Sequence, residues 1–331
     1  MIDNEVISPF WGRFLLHLTD GKGDSNSMQY KILKLISYIL CQMPHSFILW
    51  LGKYMGVLYF NIAAKQRNRA IRQLRESLGK SQKDAENLIR GSFINIGRNF
   101  LEIMYMPNLK KENFETYMEI DHIARFKAAL AEGHGVVILT AHVGNWEWLS
   151  AALAFSGIPL TAIAKPQPNE QHTRILNEFR AMVGVEIFSR GTSELLGAAK
   201  ALKKGKALGF LVDQDAGPGG AFVDFLGRTA STPMGPAVFA KKFSAPIVPA
   251  FIVRKPDGKH KVIIGEVLHY EDKGNSDQDL YDLTVEMTRI VEKVIQEHPT
   301  QWLWFQKRWN TTPDMKKIKH HMVKQQVVEN E

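Results

Sequence analysis

Cysteine is almost absent from this chain. Cys41 is the single one in 331 residues, so no intrachain disulfide can form and no CxxC metal or redox pair exists. Its apolar neighbours fit a buried thiol rather than a nucleophile. Also missing are the HExxH zinc spacing, the GxSxG nucleophile elbow and the Walker and GxGxxG phosphate loops. No internal repeat is found. The first 27 residues carry acids, Pro9 and a polar stretch over 20–27, unlike a signal peptide, and are expected to form a flexible extension ahead of Met28.

Long apolar runs are scarce. A charge-free run of 18 residues, 35–52, barely reaches bilayer-spanning length. It also holds Gln42, Pro44, His45 and Ser46 at its middle, which an unbroken lipid-spanning helix disfavours. Two amphipathic helices meeting at Pro44, lying on or entering a membrane, explain the pattern as well, and so does a buried helical hairpin. Lys31, Lys34, Lys53, Lys65, Arg67, Arg69 and Arg72 flank the stretch, and clustered cations beside apolar residues suit an anionic leaflet. Trp50, Tyr54, Tyr59 and Phe60 resemble an interfacial aromatic set.

What is present supports a large folded unit. At 45% hydrophobic and 10% aromatic the chain can bury a sizeable core and is not a disordered protein. The net charge of +8 points to an anionic partner: a membrane surface, a phosphorylated ligand, an acidic protein or nucleic acid. Nucleic acid is the least favoured of these, since the basic residues are scattered and no recognition module can be read.

Residues 65–110 read as helical, with Leu74, Leu78, Ala85, Leu88, Ile89, Phe93, Ile96 and Phe100 at core spacing and Gly79 as a stop between two helices. Beyond about 115, apolar strand-like runs at 135–140, 160–164, 207–212, 247–253 and 262–267 alternate with helical segments near 170–183, 193–203 and 234–243. That alternation predicts an α/β fold with a mixed sheet flanked by helices. An amphipathic segment at 279–297 follows. The division expected is an extension over 1–27, a helical membrane-anchoring region over 28–110, an α/β domain over 111–312 and a basic flexible tail over 313–331.

The chemistry centres on Ala141-His142-Val143-Gly144-Asn145-Trp146-Glu147. A buried-type strand ends just before His142 and a helical pattern begins just after it, which places the histidine at a strand-to-helix turn where open α/β sheets bind ligands. His142 and Glu147 are a candidate general base and its partner. With 11 His and 34 acidic residues, the spacing alone would occur about once by chance, and a structural histidine fits it too. After another strand-like run comes Asp213-Gln214-Asp215-Ala216-Gly217-Pro218-Gly219-Gly220. Its two carboxylates either order the loop and shape a pocket or hold a divalent metal. Lys165 and Arg190 each follow a strand and are candidates to grip phosphate, with a solvated rim as the alternative.

As an ordered set, these blocks resemble the late acyltransferases of lipid A biosynthesis, within the glycerolipid acyltransferase superfamily. The set comprises the His142-to-Glu147 block, Asp213-Gln214-Asp215 with Gly217, Phe222-to-Gly227, Thr232-to-Ala237, Ala245-Pro246-Ile247-Val248-Pro249 and Gln301-Trp302-Leu303-Trp304 through Arg308-Trp309. The resemblance covers about residues 28–310. It implies an enzyme at the cytoplasmic face of a cell inner membrane, among membrane lipids. Such an enzyme moves a fatty acyl group from an acyl carrier protein or coenzyme A thioester to a hydroxyl of a lipid A precursor or related glycolipid. It implies no metal and no cofactor. The family's catalytic pair falls on His142 and Glu147, with Glu147 orienting the ring. Substrate contacts are expected from Asn145, Lys165, Arg190, Asp213, Asp215 and Gly217. The family usually has arginine where this chain has Lys165, and its asparagine-proline appears here as Asn169-Glu170. Lysine makes no bidentate fork, so Arg190 is the stronger candidate for an acceptor phosphate. Two other readings stand beside this one: a metal-dependent glycosyltransferase using Asp213 and Asp215, and a non-catalytic membrane-binding protein.

Overall fold

The computed structural model describes residues 27–189 and 192–314, so residues 1–26, Arg190, Gly191 and 315–331 lie outside the description. Among the described residues four helices come first: α1 (Met28–Cys41), α2 (His45–Ile62), α3 (Ala64–Leu78) and α4 (Gln82–Met104). The break between α1 and α2 falls at Pro44, whose φ of −60° and ψ of 143° leave the helical region. α2 packs on α4 through a glycine groove. A Cβ on Gly56 would lie 2.3 Å from the Phe93 carbonyl oxygen, and one on Gly97 2.2 Å from that of Gly52. Only bare backbone permits so close an approach.

Among the described residues no single helix is long and apolar enough to cross a membrane; α2 and α3 meet the length and composition test only as a pair bent by 92°. The outward faces of the first two helices are nonetheless apolar. Ile32, Leu35 and Ile39 on α1, and Phe47, Trp50, Tyr54, Leu58 and Ile62 on α2, are all exposed and recur at helical spacing.

The rest is a mixed α/β unit. A seven-stranded sheet in the order β1-β9-β8-β2-β5-β3-β4 is built from β1 (Met118–Asp121), β2 (Val136–Thr140), β3 (Leu160–Ala164), β4 (Glu186–Ser189), β5 (Ala207–Leu211), β8 (Ile247–Arg254) and β9 (His260–Ile264). All neighbours run parallel except β8 and β9. β2 and β8 are buried along their whole length, as strands covered on both faces should be. Helices α5 (Phe114–Tyr117), α6 (Ile123–Ala131), α7 (Trp146–Phe155), α8 (Glu170–Met182), α9 (Thr192–Lys203), α10 (Gly235–Phe243) and α11 (Ser276–Glu297) complete the fold, with a separate hairpin of β6 (Ala221–Phe225) and β7 (Arg228–Thr232).

The five strands expected from apolar runs are all present, and α3, α4, α8, α9, α10 and α11 stand where the helical spacing put them. The short strands β1 and β4 and the β6–β7 hairpin were not expected. Phe100 departs from its expected core place: it is 52% exposed and lines a cleft.

Candidate active site

β2 and β5 are parallel neighbours, with Thr140 opposite Leu211. His142 and Asp213 each stand two residues beyond that pair, so an equal overshoot from two in-register strands brings them together. His142 Nδ1 lies 2.8 Å from Asp213 Oδ1, and the His142 backbone N–H donates to Oδ2 at 3.0 Å. Oδ2 also accepts from Trp302 Nε1 at 2.8 Å and Gln306 Nε2 at 3.0 Å. An ionised Asp213 is an acceptor only, so Nδ1 carries the proton and Nε2 of the neutral ring keeps its lone pair.

The turn that carries His142 is tightly enclosed. Gly144 has φ of +58°, and a Cβ there would sit 2.0 Å from the Ile252 carbonyl oxygen, so this position admits only glycine. The Gly144 N–H donates to the Gln301 carbonyl at 2.9 Å. Asn145 then caps α7, its Oδ1 accepting from the Trp148 N–H at 3.3 Å.

Burial and partners set the electrostatics. Burial alone would raise the Asp213 carboxyl, but the opposing charge of His142 and the donors from Gln306 and Trp302 hold it well below the usual carboxylate range. Burial likewise works against a charged His142, yet the Asp213 carboxylate prevails and raises the imidazole above its ordinary value, with Glu147 adding to the effect.

The sequence-predicted site residues separate into groups. Glu147 is buried, but its carboxylate faces Arg180, which donates from Nη2 at 2.6 Å and from Nε at 2.8 Å. The ring-orienting hydrogen bond expected from Glu147 is made by Asp213 instead. Asn145 is buried away from the cleft, giving Nδ2 to Glu102 Oε2 at 2.9 Å. Asp215 accepts from Thr311, its Oγ1 at 2.8 Å and its N–H at 3.3 Å. Gly217 opens a short turn leading into the hairpin, where its carbonyl accepts from Ser231. Lys165 is exposed on the rim of the cleft. Arg190 lies outside the described residues. Asp213 and Asp215 thus spend their oxygens on protein donors, and among the described residues no group of three or more His, Cys, Asp or Glu side chains is arranged to hold a metal ion.

His142 opens onto a cleft of about 400 Å³. Leu33 of α1 lines it, and α1 is fastened to α8 by Tyr30 and Lys34, both of which bind Glu178. A second, narrower cavity of about 80 Å³ runs beneath it between the sheet and α7, lined almost entirely by apolar side chains such as Ile138, Leu153, Leu160 and Val185. The two cavities share Trp146, Glu147, Ile163, Ala164, Arg180 and Leu211, so the Glu147–Arg180 pair stands at their junction. Sequence reasoning gave no role to Arg180, Trp302 or Gln306. The available signal was symmetry: His142 and Asp213 each stand two residues beyond an apolar strand.

The model of the bacterial lipid A biosynthesis acyltransferases matches residues 28–311. The chain is 26% identical over 253 residues to a phosphatidylinositol mannoside acyltransferase of Mycolicibacterium smegmatis, covering 73% of this chain and 81% of that protein. It is 25% identical over 285 residues to the lipid A biosynthesis lauroyltransferase of Escherichia coli and 23% identical over 283 residues to the palmitoleoyltransferase of that organism. Each of these matches covers 84% of this chain and 90% of the relative.

Proposed function

The chain belongs to the bacterial lipid A biosynthesis acyltransferase family, and from that membership and the site's geometry we propose that it moves a fatty acyl group from a thioester to a hydroxyl of a glycolipid, with His142 as general base. The observation that carries the reading is the buried His142–Asp213 contact at 2.8 Å, which leaves the other ring nitrogen for the cleft. Neutral His142 takes the proton of the acceptor hydroxyl as its oxygen attacks the thioester carbonyl. The carbon–sulfur bond then breaks and the imidazolium returns the proton to the departing thiolate, giving ester and free thiol. Asp213 holds the ring in one tautomer and stabilises the imidazolium. General-base help of this kind is worth about 10²–10⁴ in rate, and holding both substrates in one complex can add more.

The other residues take supporting parts. The narrow apolar cavity suits the acyl chain, with the Glu147–Arg180 pair fixing its entrance. Lys165, on the rim, suits an anionic group of the acceptor. The exposed apolar stripes of α1 and α2 lay the protein on the cytoplasmic face of the inner membrane, supported by the exposed flanking cations Lys53, Lys65 and Arg72, though not by Lys34, which is buried against Glu178. Leu33 of α1 lines the cleft, so one of the two proposed membrane-facing helices borders the site where a lipid acceptor must enter. An acyl carrier protein and coenzyme A are both suitable thioester carriers, and the acceptor is a lipid A precursor or a related glycolipid.

The test is transfer of a radiolabelled acyl group, in metal-free buffer, from carrier-protein and coenzyme A thioesters into extracted membrane lipids. Wild type is expected to label a glycolipid and His142→Ala to lose that labelling by at least about a hundredfold. Equal transfer by folded His142→Ala would sink the general-base role, and no transfer from either donor would sink the reading itself.

A further inference from the structure

The chemistry above makes no use of the polar cluster around Glu102. This residue, near the end of α4, is fully buried. Its carboxylate accepts both Nη groups of Arg254 at 2.6 Å each, Nε2 of His260 at 3.1 Å, Nε2 of His45 at 3.1 Å and Nδ2 of Asn145 at 2.9 Å. Its backbone carbonyl accepts from Trp148 Nε1 at 3.0 Å. One turn earlier on α4, Asn99 does the same in miniature: Nδ2 donates to the Gly144 carbonyl at 2.6 Å, and Oδ1 accepts from Arg254 at 2.8 Å.

The targets of this cluster are what mark it out. Gly144 and Asn145 are the second and third residues after His142, and Trp148 lies in the first turn of α7. An ion pair sealed in the interior is often no more stabilising than well-packed apolar side chains of the same volume, so stability alone gives no reason to gather four partner side chains on one carboxylate. Rigid support of a reacting group does, since a shift of about 1 Å can lower a rate about a hundredfold. We infer that Glu102, together with Asn99 on the same face of α4, is a positioning residue that locks the turn 143–146 and so holds His142 against Asp213 with its free nitrogen toward the cleft. It touches neither substrate nor the reacting atoms.

Two variants separate positioning from mere filling of the core. Asn145→Ser keeps an oxygen to cap α7 but removes the donor to Glu102. The pair Glu102→Gln with Arg254→Met removes both buried charges together, sparing either from being left unpaired. For each, melting temperature, kcat and KM per folded molecule are measured with an acyl thioester. The His142 ring is followed by NMR of histidine-labelled protein, its signal identified by its loss in His142→Gln.

Both variants are expected to fold, to lose tenfold to about a hundredfold in kcat with little change in KM for the thioester, and to move the His142 signal. Its titration should fall toward the ordinary histidine value as the contact with Asp213 loosens. Asp213 and Glu147 are the charged groups acting on the ring, and the second stays bound to Arg180. Wild-type kcat and an unmoved His142 signal in folded Asn145→Ser would overturn the inference, whether or not the double variant folds. The kinetic readout rests on the acyltransferase reading, but the NMR readout does not. A wild type without transfer would therefore sink that reading and leave the positioning role to be decided by the His142 signal.

Discussion

Two fully buried carboxylates in this molecule bind histidine, Asp213 holding His142 and Glu102 holding His260 and His45, and His142 and His260 respond in opposite directions. Asp213 raises His142 above its ordinary value, whereas His260, against Glu102, is lowered. Burial lowers both rings to begin with. The difference lies in what else the carboxylate holds. Besides the His142 ring, the groups that hydrogen-bond Asp213 are neutral, from Trp302, Gln306 and backbone, while the buried Arg308 guanidinium acts on it through space. Glu102 is already matched by the two-pronged Arg254, whose positive charge also opposes protonation of His260. A histidine beside a carboxylate is therefore not by itself a candidate base; a carboxylate with no arginine bound directly to it and an open second nitrogen are both needed.

The largest expected effect comes from removing the charge that distinguishes the first site. Asp213→Asn keeps the shape but sets an amide against Nδ1, which disfavours the productive tautomer. We expect kcat/KM for acyl transfer to fall by about 10³–10⁴ with the fold intact by circular dichroism. A loss of less than about tenfold would show that the carboxylate is not what prepares His142.

Next in size, Arg254→Met converts the second site toward the first. Glu102 is left buried without its counter-ion, and thermal or urea unfolding should show a loss of about 3–5 kcal/mol. The titration of His260, followed by NMR, should also rise above its wild-type position, because the group that opposed its protonation is gone. An unchanged His260 titration in the folded variant would show that burial alone, and not Arg254, sets its behaviour.

The pH dependence of the wild type offers a smaller test of the same contrast. The raised His142 contributes stability that is complete below the unfolded histidine value of about 6.5 and is lost as pH rises through its folded midpoint. The lowered His260 does the reverse: its contribution is complete above about 6.5 and is lost as pH falls through its folded midpoint. Catalysis sees only the first ring, and it requires that ring neutral. The acid limb of kcat/KM is therefore expected at a pH above about 6.5 in wild type. An acid limb at or below that value would argue that the His142–Asp213 contact is not maintained in the working enzyme.

The fold was largely legible in the sequence because its signals are local. An apolar, β-branched run such as 136–140 reads as a buried strand without knowledge of its neighbours, and Gly79 ends α3 with a left-handed backbone as expected. Weakly patterned pieces escaped. β1 and β4 have only four residues each, and the hairpin lies behind the glycine-rich stretch 216–220. The site was legible by half. His142 announced itself through its position after a strand, but its partner depended on β5 lying beside β2 with Thr140 opposite Leu211, and strand order is a property of the whole sheet. Spacing pointed instead to Glu147, which lies on the first turn of α7 and faces Arg180. Ser92, Asn99 and Glu102 are buried polar residues on a helix whose neighbours Phe93 and Leu101 are core. An acid at a core position was a readable sign of the second network.

The smallest expected effect comes from His260 itself. His260→Gln retains a donor that can reach Glu102, and the remaining partners of that carboxylate, Arg254, Asn145 and His45, stay in place. The Nδ1 atom of His260 is buried without a hydrogen-bond partner, so the substitution gives up no bond on that side. One hydrogen bond exchanged for a poorer one should change stability by about 1 kcal/mol. The effect should be smaller at low pH, where wild type already gives up the advantage of a neutral ring. The acid limb of kcat/KM should stay where it is in wild type, because it reports His142 alone. A displaced limb in His260→Gln would mean that the two carboxylate sites titrate as one system, and the contrast between a carboxylate paired directly with an arginine and one that is not would no longer explain which histidine serves as the base.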